Sequence, residues 1–104
     1  MHQHVNVAIQ VLPSCSHKDS YEIVDAAIEV ISKSGLKFRV CPFETVIEGE
    51  YTEVMEVVKA AIEACYRSGA EKVLTNLKIQ TSADQAVTIE DKVGKYDAIG
   101  MTGL

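Results

Sequence analysis

Cysteine is scarce in this 104-residue chain: three residues (Cys15, Cys41, Cys65) and no Cys-x-x-Cys pair. So odd and scattered a set excludes a disulfide frame and fits small thiols in a reducing compartment. Positive charge is also short. Ten Lys+Arg stand against 15 Asp+Glu, for a net −5 with neutral histidines. That balance argues against roles built on neutralising nucleic-acid phosphates or an anionic membrane surface. No apolar run approaches the ~20 residues that a bilayer span requires. The opening Met-His-Gln-His-Val-Asn lacks the basic stretch and apolar core of a secretion signal, so the expected location is the cytoplasm.

Several chemistries lack their residues. The six glycines never form G-x-G-x-x-G or a P-loop. Aromatics make up 6% of the chain, without the basic interleaving by which RNA modules stack bases. His2, His4 and His17 with Cys15 have no zinc-ligand spacing. Ser14 and Ser16 near His17 lack a nucleophile elbow and a placed acid. No catalytic set, metal site or cofactor is therefore expected, and the chain reads as a non-enzyme.

What is present is a well-patterned single domain, 47% apolar, expected over residues 1–96 with a tail at 97–104. His4 to Leu12 alternates, with Val5, Val7, Ile9 and Val11 on one side, which predicts a half-buried strand ended by Pro13. Asp19 followed by Glu22 has the spacing of a helix cap, and Val24, Ala27, Ile28 and Ile31 form an apolar stripe before Gly35. Leu36–Cys41 and Thr45–Glu50 alternate again as a hairpin. Thr52 is the expected cap of a second helix, with Val54, Val57, Val58, Ala61, Ile62 and Cys65 inward and Gly69 closing it. Lys72–Thr81 reads as the last strand, and Thr88-Ile-Glu-Asp91 opens a short third helix toward Tyr96.

The order β-α-β-β-α-β-α predicts an α+β ferredoxin-like sandwich. Its four-stranded antiparallel sheet runs in the order 4-1-3-2, with both long helices on one face. The other face would then carry Asn6, Ala8, Gln10, Leu12, Arg39, Cys41, Val46, Glu48, Leu74, Asn76 and Lys78. That mixture is too apolar and amide-rich for a solvated face, and it predicts burial by self-association around a few polar groups. Glu48-Gly49-Glu50 is the most pointed cluster. It is either a carboxylate aimed at an enclosed ligand or a strand-end charge pair in water, with Gly49 marking a bulge.

Three stretches carry a family resemblance: Val7-x-Ile9-x-Val11-x-Pro13, the run from Gly35 through Pro42, Thr45, Glu48 and Gly49 to Glu50, and Thr88 through Lys92 to Tyr96. Together they resemble the thiamine-binding-protein family over residues 5–96. The resemblance implies a ferredoxin-like fold assembled as a dimer or homotetramer through its sheets. It also implies non-catalytic binding of thiamine or its hydroxymethylpyrimidine moiety in a pocket at a subunit interface. Its matched positions include Thr45 and Glu48, with Lys92 and Tyr96 in the last helix. An aminopyrimidine offers one donor group and two ring acceptors. Glu48, Gln10 and Asn76, with Asn6 nearby, suit it, and an acidic cavity would favour the thiazolium cation. The competing readings are a regulatory, ligand-sensing or protein-interaction module of the same fold with a different ligand, and an enzyme acting on a thiamine-like compound.

Overall fold

A computed structural model of the chain describes residues 1–98. Its elements are β1 (His4–Ser14), α1 (Ser20–Ser32), β2 (Lys37–Val40), β3 (Thr45–Glu50), α2 (Tyr51–Arg67), β4 (Lys72–Gln80) and α3 (Ile89–Ala98). The four strands form one antiparallel sheet in the order β2-β3-β1-β4, the expected order read from the other edge. This is the ferredoxin-like α+β sandwich that the alternating and helical periods predicted.

The alternation in β1 decides which face is dry. Val5, Val7 and Ile9 meet Ile47 of β3, Ile23, Ala27 and Ile31 of α1, and Val54, Val58, Ala61 and Cys65 of α2 in one buried core. Burying a side chain of this size stabilises by roughly 1.5–3 kcal/mol, so this cluster holds both long helices on a single side of the sheet. Gly49 lies in regular register opposite Val5, with no bulge. A methyl group there would come within 3.3 Å of Val54 and 3.4 Å of Leu36. Glycine lets α2 approach the sheet closely. Gly69, at φ 114° just past the Ser68 cap, is a residue whose left-handed backbone does require glycine.

Several boundaries differ from the sequence expectation. β1 runs through Pro13, which opposes Val73, and on to Ser14. Its pairing with β3 stops at Ile9, so one side of β1 is vacant there and the absent N–H need break no ladder bond. In α1 the fully buried residues are Ile23, Ala27 and Ile31, while Val24 and Ile28 sit half-buried at the flank. α2 is capped by Glu50, whose side chain accepts from Glu53 N at 3.1 Å, and not by Thr52, because β3 runs straight into the helix. Leu77 and Ile79 share the core face with Ile9 and Val7 but remain 37% and 43% exposed, since β4 is an edge strand. α3 continues through Asp97 to Ala98, two residues into the expected tail; positions 99–104 of that tail lie outside the described residues.

The largest correction concerns the second face of the sheet. It is not left bare: α3 folds back across it. Asn6 Nδ2 donates to Val87 O at 2.9 Å, and Val87 N donates to His4 O at 3.0 Å, turning the chain over the sheet. At the far end of the helix, Arg39 Nη2 donates to Asp97 Oδ1 at 2.8 Å and Oδ2 at 2.9 Å.

Candidate functional site under the third helix

Directly opposed residues of antiparallel strands share a face, so the register lays out the floor beneath α3. Gln80, Asn6, Glu48 and Lys37 form one row across the four strands, and Lys78, Ala8, Val46 and Arg39 form the next. Ala8 and Val46 at the centre of the second row are small and apolar. They leave a cavity of about 360 Å³ between sheet and helix, within the ~300–1,000 Å³ range of small-molecule sites. Ile89, Lys92 and Val93 of α3 line it from above. Asn6, Arg39, Cys41, Glu44, Lys78, Ile79 and Gln80 complete its walls.

Asn6 is the polar anchor of this space. It is 3% exposed, and its amide nitrogen is committed to the Val87 carbonyl, which fixes which way the amide points. Its Oδ1 is left buried without a hydrogen-bond partner. An unsatisfied buried acceptor costs roughly 1–3 kcal/mol.

Glu48 is in a different situation. Oε1 accepts the backbone N–H of Ile89 at 2.7 Å, and Oε2 accepts from His4 Nε2 at 2.8 Å. Lys37 Nζ stands 4.0 Å from Oε1. Burial, the largest single influence, raises the Glu48 pKa. The Ile89 N–H, His4 and Lys37 together outweigh it, and the carboxyl ends below its ordinary value of 4.5. Thr88 Oγ1 meanwhile accepts from Asp91 N at 3.0 Å, so two side chains share the N-terminus of α3. The Glu-Gly-Glu cluster thus consists of two helix caps, Glu48 on α3 and Glu50 on α2.

The remaining expected ligand residues divide. Gln10 and Asn76 lie on the same face one row further along, where Asn76 Nδ2 donates to Gln10 Oε1 at 3.2 Å. Thr45 opposes Ile9 and Val40 on the helix-covered side. It lines a separate cavity of about 240 Å³ between α1 and the β2–β3 turn. Tyr96 is partly exposed, with the Lys95 ammonium 4.9 Å from its ring centroid. Arg39 and Lys78 were legible as outward-facing residues, but nothing in their spacing marked them as cavity walls. The helix itself was signalled by Thr88-Ile-Glu-Asp91, but the sequence hint that it would cover the sheet was only the apolar pair Ile89 and Val93, four residues apart. Among the described residues no His/Cys/Asp/Glu group is arranged to hold a metal ion, and no helix is long and apolar enough to cross a membrane.

The electrostatic expectation also changes. The walls carry Arg39, Lys78 and Lys92, but Arg39 pairs with Asp97, Lys78 with Glu44, and Lys92 feels the charge of Glu48, so the cavity is close to charge-balanced in a chain whose net charge is −5.

A half-open cavity of this size, apolar at its centre and polar around it, defines a small-molecule-binding architecture. The chain belongs to the thiamine-binding protein family, whose model matches residues 7–97. A UPF0045 protein of Clostridium perfringens is 43% identical over 91 residues, covering 88% of this chain and 95% of that protein. A structure of a domain of unknown function from Bacillus cereus superposes with a TM-score of 0.87 at 44% identity, covering 90% of each chain. A Thermotoga maritima protein provisionally ascribed to thiamine biosynthesis or salvage superposes with a TM-score of 0.80 at 38% identity, covering 89% of this chain and 98% of that one.

Proposed function

We propose that this protein binds the hydroxymethylpyrimidine moiety, free or as part of thiamine, in the cavity beneath α3, without catalysing a reaction. The observation that carries the reading is the cavity of about 360 Å³ roofed by α3, with Asn6, whose buried Oδ1 has no hydrogen-bond partner, among its lining residues. An exocyclic amine on a flat heterocycle supplies the missing donor, while Ala8 and Val46 below and Val93 above offer apolar surface to the ring. Glu48 acts through the helix it caps, not by touching the ligand. With Arg39 and Lys78 already paired, a neutral pyrimidine suits the inside and a thiazolium is directed outward. Carrying, buffering or sensing the compound in the cytoplasm fits a binder without a catalytic set.

The sheet beyond α3 still exposes Leu12 and Leu74, paired across strands at 45% and 61% exposure. A second copy seated there would cover them and the Gln10–Asn76 pair. In this reading the homo-oligomer borders a cavity that α3 has already roofed.

Titration calorimetry with hydroxymethylpyrimidine and with thiamine tests the site. Saturable binding is expected in the native protein. It should vanish in Ala8→Phe, which fills the floor from the side away from the core. Absence of binding, or undiminished binding by a folded Ala8→Phe, overturns the assignment.

A further inference from the structure

Each cation around the cavity but one has a counter-charge. Arg39 is held by Asp97, and Lys78 Nζ lies 3.3 Å from Glu44 Oε1. Lys92, one helical turn beyond Ile89 and on the cavity wall, has no ion pair among the described residues. Glu48 is the acid whose charge it senses, but both Glu48 oxygens are already engaged by Ile89 N–H and His4. Lys92 remains largely exposed; the part of it that is covered lowers its pKa, and Glu48 only partly opposes this. Its position in the first turns of α3 adds the positive end of the helix dipole, which the Glu48 cap and the first-turn Glu90 and Asp91 partly offset. A neutral ligand would leave this ammonium with only the already engaged Glu48 as counter-charge, and a cationic one would add repulsion.

We infer that the ligand carries a phosphate ester, and that Lys92 is the residue that recognises it. The inference rests on the pyrimidine reading above and narrows it to the phosphorylated form of the heterocycle. A lysine ammonium is a compact point charge suited to phosphate. A phosphomonoester brings about −1.5 to −2 charges at neutral pH. Next to an apolar floor their attraction is screened less than in open water. Because the chain as a whole is acidic, long-range attraction does not gather anions here. Selection must come from the cavity wall.

The test is calorimetry with hydroxymethylpyrimidine and its monophosphate on the native protein, Lys92→Gln and Lys92→Arg. The native chain should prefer the ester by about tenfold or more, as expected for an added charge-assisted bond. That preference should fall to near unity in Lys92→Gln and be largely kept in Lys92→Arg. Millimolar inorganic phosphate should compete with the ester more strongly than with the alcohol. If the alcohol binds and the ester binds no tighter, the phosphate assignment fails while the pyrimidine site stands. If Lys92→Gln keeps the native preference, Lys92 is not the recognising residue and the inference is wrong. If neither compound binds, both readings fall together.

Discussion

Glu48 Oε1 accepts the amide hydrogen of Ile89 at 2.7 Å, joining residues 41 positions apart in the chain. The contact ties the middle of β3 to the first residue of α3. With Arg39–Asp97 at the other end, it makes α3 a roof pinned at both ends over an apolar floor. The cavity therefore depends on a carboxylate that lies beneath its roof.

Replacing Glu48 with Ala should destabilise the protein by about 1–3 kcal/mol, because the Ile89 N–H loses its acceptor in a buried setting. Hydrogen exchange should rise across residues 89–97 while β1 stays protected, and pyrimidine affinity should fall. Glu48→Gln keeps an acceptor oxygen and should recover part of both effects. Glu50→Ala, which removes the α2 cap, should cost ~0.5–2 kcal/mol and leave the exchange of α3 unchanged. Equal effects of the two substitutions on α3 exchange and on binding would contradict the roof assignment.

Acid should release the roof. The Glu48 pKa in the folded chain lies below the ordinary value of 4.5. Its contribution is therefore fully present above the unfolded pKa and is lost as pH falls through the folded one. Exchange measured stepwise from pH 7 to pH 3 should show α3 losing protection before the strands of the core do. In Glu48→Gln the α3 transition should be much shallower. Simultaneous loss of protection in α3 and the core would show that the helix has no separate acid-sensitive anchor.

Most of the sandwich was legible because its residues repeat with a period. Val5, Val7 and Ile9 alternate against Asn6 and Ala8, and α2 carries its stripe from Val54 to Cys65. Period alone placed Asn6, Ala8, Val46, Glu48 and Lys78 on one face. It could not say what covers that face. α3 offers only Ile89 and Val93 as an apolar pair, and the contact that docks its first residue is a backbone N–H on Glu48, which leaves no side-chain signature. The greasiness of the floor was read correctly as a demand for cover, but the cover was assigned wholly to a second copy of the chain. Glu50 was missed as a cap because a strand running directly into a helix lacks the usual Ser/Thr signal. Thr45 was carried by its place in a family-like stretch, although its parity with Ile47 already put it on the core side.

The three thiols offer a way to locate the ligand. Cys41 is half-buried and lines the cavity beneath α3, Cys15 is half-buried elsewhere, and Cys65 is fully buried in the core. Burial pushes the Cys65 thiol up from its ordinary value. The reactive thiolate is therefore scarce there as well as hard to reach. Alkylation followed by peptide mass analysis should modify Cys41 and Cys15 in the native protein and Cys65 only after unfolding. Saturating hydroxymethylpyrimidine should slow the reaction at Cys41 severalfold and leave Cys15 as an internal control. A bulky adduct on Cys41 should in turn block binding. An unchanged Cys41 rate at full saturation would place the ligand somewhere other than under the third helix.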